Sequence, residues 1–270
     1  MNTTAINHRR WERRPAVIGA IVGTVLGCAL VWGSDFGRTE EFHQTFPLSE
    51  TGRVSLDNIN GMVLVTTWDR AEVKLDAVKS AKTDEDLKRV EIIVDAKPEA
   101  LTVKTRHHEK RGFFGGRKSL QARVDYNLTV PSAAVLEHIN NVNGNIEIRD
   151  VRGSVNANTV NGKLTAKNLG AHASLATVNG HVTASFAKLD GVKSAKLEAV
   201  NGAIDLALPD KPNATVKAST VNGGIANQFS VPVKHHLVGN NMEAKLGSGA
   251  AVIKLSTVNG AIHVNRATAE

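Results

Sequence analysis

Thr159-Val160-Asn161-Gly162-Lys163-Leu164-Thr165-Ala166 returns 18 residues later as Thr177-Val178-Asn179-Gly180-His181-Val182-Thr183-Ala184. The pair marks a chain built from a short repeat. Val-Asn-Gly occurs at 142–144, 160–162, 178–180, 200–202, 221–223 and 258–260, and Ile59-Asn60-Gly61 is an earlier relative. The asparagines Asn143, Asn161, Asn179, Asn201, Asn222 and Asn259 follow one another at 18, 18, 22, 21 and 37 residues. The last interval is close to two shorter ones, which predicts a degenerate repeat within 230–250.

The surroundings of each copy predict strands. Two residues after the glycine stands an aliphatic, namely Ile146, Leu164, Val182, Ile204, Ile225 or Ile262, and two further on comes Ile148, Ala166, Ala184, Leu206 or Val264. Apolar side chains at every second position give a strand with one buried face. Asn-Gly tolerates positive φ and turns the chain between strands, and Gly153, Gly170 and Gly191 mark a second turn in mid-repeat. Each repeat is therefore two short strands and two turns. A β-solenoid satisfies this pattern with parallel stacked strands, and an antiparallel meander satisfies it with Asn-Gly hairpins. Repeat identity favours the solenoid, in which like residues stack and Asn60, Asn143, Asn161, Asn179, Asn201, Asn222 and Asn259 form a structural turn ladder of amides at one corner. In that reading the asparagines serve structure, by tolerating a left-handed turn and bonding to their neighbours, and do not bind a ligand.

Residues 40–139 read as a β-rich N-terminal part preceding a Val-Asn-Gly repeat β-solenoid over 140–266. Strands are expected at Arg53–Asp57, Met62–Trp68, Glu72–Val78, Glu91–Ala96, Leu101–Arg106 and Leu120–Val130. A short helix is expected at Thr83–Val90, with Thr83 as cap and Asp84, Glu85 and Asp86 in the first turn. Between two of the strands lies a basic loop in which Lys110, Arg111, Phe113, Phe114, Arg117 and Lys118 form a candidate surface-contact loop for lipid headgroups or an anionic glycan. The alternative is a solvated hairpin with its phenylalanines folded back.

The N-terminus sets the expected compartment. Residues 15–33, PAVIGAIVGTVLGCALVWG, carry no charge and are long enough as a helix to cross a bilayer. Residues 1–14 hold Arg9, Arg10, Arg13 and Arg14 against Glu12, a basic tail expected on the cytoplasmic side. Residues 15–34 thus read as an N-terminal transmembrane helix or signal segment, and Val25-Leu26-Gly27-Cys28 loosely resembles a lipobox. Uncleaved anchor, cleaved signal and lipoprotein signal all place the body outside the cytoplasm, periplasmic or at the cell surface. Gly19, Gly23 and Gly27 line one helix face, a candidate homo-dimer face within the membrane.

Composition narrows the function. The net charge is +7 with aromatics at 4%, and no basic face with stacking aromatics stands out, so a nucleic-acid partner is not expected. The single cysteine, Cys28, allows no internal disulfide. His107-His108 and His235-His236 lack zinc-site spacing, because adjacent strand residues point to opposite faces. The repeat carboxylates Glu147, Asp150, Asp190, Glu198 and Asp205 recur at no common position, whereas glycan cleavage needs a convergent acid pair. Neither an enzyme nor a cofactor is expected.

An early apolar segment, a strand–Asn-Gly–strand unit, a strand ending in Val130-Pro131 and serial Val-Asn-Gly repeats together resemble the bacterial DUF4097-type β-strand-repeat family of candidate adhesins. The resemblance covers roughly residues 45–265. It implies a β-solenoid-like extracytoplasmic domain, and the family offers no catalytic residues to carry across. The expectation is an all-β, membrane-anchored adhesin or envelope scaffold that meets an anionic glycan or an envelope protein. The alternative is an envelope sensor or regulatory protein whose solenoid docks on a membrane partner.

Overall fold

The computed structural model describes residues 37–108, 120–186 and 188–267. Its first half holds strands β1 (Arg38–Pro47), β2 (Arg53–Asn60), β3 (Val63–Trp68) and β4 (Glu72–Ala81), helix α1 (Asp84–Lys88), and strands β5 (Val90–Lys97), β6 (Ala100–His107) and β7 (Ala122–Pro131). The repeats supply long and short strands in alternation. These are β8 (Val135–Asn143) and β9 (Ile146–Arg149), β10 (Val155–Asn161) and β11 (Leu164–Lys167), β12 (Ala173–Asn179) and β13 (Val182–Ser185), and β14 (Ser194–Asn201) and β15 (Ile204–Leu208). Then come β16 (Ala214–Asn222), β17 (Ile225–Asn227), β18 (Lys234–His235), β19 (Asn240–Leu246), β20 (Ala251–Asn259) and β21 (Ile262–Arg266).

The long strands of the Val-Asn-Gly copies gather in an 11-stranded sheet and their short strands in a 10-stranded sheet. Each round of chain runs along one sheet, turns at Asn-Gly and runs along the other. Pairing between rounds is parallel and places like on like: Leu164 lies between Ile146 and Val182, and Asn161 between Asn143 and Asn179. This register is that of stacked coils and not of a meander. It also runs through residue 140 without a break, since β2 pairs with β8 and β3 with β9. The β-rich first half thus contributes the coil β2–β3 and, beyond it, the layer β6–β7.

Alternation explains the core. Ile146, Leu164, Val182, Ile204 and Ile262 from one sheet, and Val155, Leu175, Leu197, Leu255 and Ile253 from the other, are all at most 1% exposed. Each such side chain contributes roughly 1.5–3 kcal/mol of transfer free energy. Few rings are needed for so thin an interior, and Tyr126 and Phe186 are the largest fully buried side chains.

The corner glycines answer to a close approach. A Cβ on Gly162 would stand 2.1 Å from the Gly144 carbonyl oxygen, one on Gly180 2.0 Å from that of Gly162, and one on Gly202 1.7 Å from that of Gly180. Backbone meets backbone there, with no side chain free to move aside. Positive φ is not the common requirement, because it occurs at Gly61, Gly144 and Gly180 but at neither Gly162 nor Gly202. The expected left-handed asparagines are likewise corrected. They end their strands in extended backbone, and among the described residues the non-glycine positions with positive φ are Asp150, Asn168 and Ser230.

The degenerate repeat expected within 230–250 is absent. β18 and β19 form an antiparallel hairpin, and β19 runs antiparallel to β16. The final copy, β20–β21, instead inserts between β14–β15 and β16–β17. In the first half, Thr83 caps α1 by accepting from the Asp86 amide at 3.1 Å, with Asp84, Glu85 and Asp86 in the first turn. Among the described residues, no helix is long and apolar enough to cross a membrane. The apolar segment 15–33, Gly19, Gly23, Gly27 and the loop residues Lys110, Arg111, Phe113, Phe114, Arg117 and Lys118 lie outside the described residues.

Candidate functional site

Register at the corner brings seven carboxamides into one column. Asn143 donates through Nδ2 to Asn60 Oδ1 at 2.8 Å, Asn161 to Asn143 at 2.8 Å, Asn179 to Asn161 at 2.8 Å and Asn201 to Asn179 at 2.9 Å. The column continues through Asn259, which donates to Asn201 at 2.8 Å, and ends with Asn222 donating to Asn259 at 2.8 Å. Aligned amides polarise one another, so a chain of this kind is stiffer than isolated pairs.

A second column lies two residues earlier on each strand. Thr159 Oγ1 donates to the Gly144 carbonyl at 3.1 Å, Thr177 to Gly162 at 3.2 Å, Thr257 to Gly202 at 2.9 Å and Thr220 to Gly260 at 2.9 Å. Asn141 and Asn58 take the same place nearer the N-terminal end, with Nδ2 on the carbonyls of Gly61 and Val124 at 2.7 and 3.0 Å. Each side chain satisfies an acceptor at a half-buried corner.

Because threonine points in, the next residue must point out. Val142, Val160, Val178, Val200, Val258 and Val221 are therefore 39–46% exposed and stand side by side on consecutive strands of the 11-stranded sheet. This is the feature that the repeat reading did not place. The signal was available in Val155, Ala157 and Thr159, whose alternation assigns Thr159 inward and Val160 outward. Two residues before each valine, the same face carries Asn140, Asn158, Ala176, Glu198 and Ser256. Apart from Val221, these rows line a shallow groove of about 620 Å³.

The groove is polar on one flank and apolar along its floor. Asn158 donates to Asn140 at 3.1 Å, and Asn140 to Asp57 at 2.9 Å. Glu198, the one ionisable residue among those lining it, pairs with Lys196 at 2.8 Å. Lys196, Lys254 and Lys217 lie in register on three adjacent strands beyond it. Glu243 pairs with Lys217 at 2.9 Å, so the lysine row is partly balanced. A second depression of about 560 Å³ opens where the columns end, lined by Met62, Gln121, Arg123, Asp125 and Asn145 among others, with Arg123 paired to Asp125 at 3.2 Å.

Perturbed titrating groups sit elsewhere. Burial, opposed by a hydrogen bond with Thr105, pushes the Tyr126 phenol up to about 12. Burial and then the Arg89 guanidinium lower His107, while hydrogen bonds with Asp76 and Glu41 raise His43. None lines the valine groove. Among the described residues, no group of three or more His, Cys, Asp or Glu side chains is placed to hold a metal ion. The arrangement offers a rigid, periodic contact surface, with no pair of carboxylates facing each other across the groove.

The family model of Toastrack DUF4097 matches residues 137–265. Over these residues the chain is similar to the Toastrack DUF4097 family. The Toastrack match begins within β8 and ends within β21, so it contains the whole valine row, while β1–β7 precede it. Among solved structures, the chain is similar to a candidate cell adhesion protein from Clostridium sporogenes, at 14% identity and a TM-score of 0.48, over 85% of this chain and 100% of that one. A candidate adhesin from Bacteroides fragilis aligns at 10% identity and a TM-score of 0.37, over 84% and 97%. A candidate lipid-binding protein from Parabacteroides distasonis aligns at 11% identity and a TM-score of 0.32, over 86% and 98%. A comparison with curated proteins finds no match.

Proposed function

We propose that this chain is a non-catalytic adhesion or scaffold protein of the cell envelope. In this reading residues 15–33 tether it to the membrane, and the valine-lined sheet face makes the contact outside the cytoplasm. The observation that carries the reading is the row of six outward valines on strands fixed by two columns of hydrogen bonds. A soluble monomer gains nothing from repeating an exposed aliphatic at one register position, whereas a contact surface does. Preorganisation by the columns lowers the ordering cost of binding. The polar flank of Asn140, Asn158 and the lysine row suits an anionic glycan.

A second reading has its own support. The apolar floor favours docking on another envelope protein, which would make the chain a sensor or regulatory partner. One experiment separates the two. The full chain is bound to envelope material before and after protease treatment, beside the Val160→Thr/Val178→Thr/Val200→Thr variant. Threonine keeps the shape and strand preference at these exposed positions. Loss of binding by the variant at unchanged melting temperature is the expected result. Persistence on protease-treated material assigns a glycan, and its loss there assigns a protein. Equal binding by the variant and the parent chain overturns both.

A further inference from the structure

From β8 to β15 the coils follow one another in space as in sequence, and then the order breaks. β20 pairs with β14 on one side and β16 on the other, and β21 lies likewise between β15 and β17. The chain therefore lays down β16–β17 one coil too far out and afterwards fills the gap. Strands separated by a third are roughly 9.6 Å apart, twice the ordinary spacing and beyond backbone bonding. Among the described residues, every strand pairing that ties 214–246 to the earlier coils passes through 251–266.

The segment that fills the gap is matched to both walls. Toward β14–β15, Asn259 donates to Asn201 at 2.8 Å and Thr257 to the Gly202 carbonyl at 2.9 Å. Toward β16–β17, Asn259 accepts from Asn222 at 2.8 Å and the Gly260 carbonyl accepts from Thr220 at 2.9 Å. Ile253, Leu255 and Ile262 are at most 1% exposed. The connection leading into it is thin. Residues 247–250 pass from the outer to the inner side of β16 around Asn213, whose Oδ1 accepts from Ser248 Oγ at 2.5 Å and from the Ala250 amide at 3.4 Å. Gly247 and Gly249, at φ 62° and 76°, make that sharp passage.

We infer that residues 250–267 are an exchangeable closing segment: the slot between β14–β15 and β16–β17 is a receptor for one strand–corner–strand unit, which a second copy of this chain can supply in trans. The walls select the occupant by its corner. Only glycine fits at 260, where a Cβ would lie 2.1 Å from the Gly202 carbonyl oxygen. The asparagine before it must complete the amide column on both sides. Opening residues 247–250 frees the segment to enter a neighbour's slot while the neighbour's segment enters the vacated one, so exchanged chains are dimers with all pairings kept. The inference rests on the coil order and stands apart from the reading of the valine face.

In the test, the full chain carries a protease site after Ser248 and is cut once folded. A labelled synthetic peptide of residues 250–267 is then added while the temperature is raised. The expected result is retention of the cut segment at rest, replacement by labelled peptide on warming, and at least tenfold less incorporation of the peptide bearing Gly260→Val. Equal uptake of the two peptides, or no uptake below the melting temperature, overturns the inference. Where the insertion prevents folding, amide hydrogen exchange on the unmodified chain decides. Residues 214–246 and 251–266 should open together, ahead of 135–185. Protection of 214–246 that persists while 251–266 opens overturns the inference equally.

Discussion

The coils from β10 onward and the layers before β8 solve one problem in two ways. Each coil half-buries a corner glycine whose carbonyl can take a donor. Four of the repeat coils meet it with a threonine, Thr159, Thr177, Thr257 or Thr220, each bonded to a neighbouring coil. At the N-terminal end Asn58 does the work, and it is itself held by Thr105, whose hydroxyl donates to Asn58 Oδ1 at 3.0 Å and lies 2.7 Å from Tyr126 Oη. The repeats thus hold a series of independent bonds, and the end holds a coupled network across β2, β6 and β7. A series loses one part at a time, while a network fails as a unit.

The most damaging substitution should be one that both regions share, at the corner. Gly162→Val places a Cβ 2.1 Å from the Gly144 carbonyl oxygen and should cost at least about 3 kcal/mol in denaturant unfolding. An unchanged midpoint would mean that the corners can spread, and the shared basis of the comparison would be gone. Next, Thr105→Val should cost about 2 kcal/mol by leaving Asn58 Oδ1 buried without its donor. Its double-mutant cycle with Tyr126→Phe should show coupling of at least about 0.5 kcal/mol.

Thr159→Val and Thr257→Val should cost about 1 kcal/mol each. Because β12 and β14 separate their strands, the two effects should add within about 0.5 kcal/mol. Strong coupling between them would erase the distinction between series and network. A smaller effect of opposite sign is expected at Ala199, which is 5% exposed and occupies the threonine position opposite the Gly180 carbonyl. Ala199→Thr should stabilise by about 0.5 kcal/mol by restoring the missing donor, as read by melting temperature.

The smallest effect is in pH, and it also belongs to the layers before β8. Hydrogen bonds with Asp76 and then Glu41 raise His43, so its contribution is complete below about pH 6.5 and fades as pH rises through the folded value. Burial and then Arg89 lower His107, so stability is complete above about pH 6.5 and falls as the unfolded chain takes up the proton first. His43→Gln should flatten the alkaline side of a melting-temperature profile, and His107→Gln the acid side. Effects of the opposite sign would reverse both assignments.

The spacing of Asn-Gly and the aliphatics that follow it, such as Leu164 and Val182, made the strands and their like-on-like stacking readable, because packing demands the same residue at the same height in every coil. Coil order was hidden for the same reason. Thr257-Val258-Asn259-Gly260 presents the same corner as Thr177-Val178-Asn179-Gly180, so nothing local says which neighbours it will take. The steric role of the corner glycines is not visible locally, since the carbonyl they approach belongs to a residue 18 or more positions away. The outward valines are harder to read from the motif, because the same residues that make the corner also end the strand alternation that turns Val160 outward. The network of Asn58, Thr105 and Tyr126 joins strands with no shared pattern, and only their assembled positions bring it into view.

One consequence of the glycine-to-carbonyl approach concerns how such a molecule can change length. Every storey rests on the one beneath through the same small footprint, and neither carries a mark of its position. Duplicating or deleting one 18-residue storey, as between Asn161 and Asn179, therefore alters the height by a single step of about 4.8 Å and leaves floor and roof as they were.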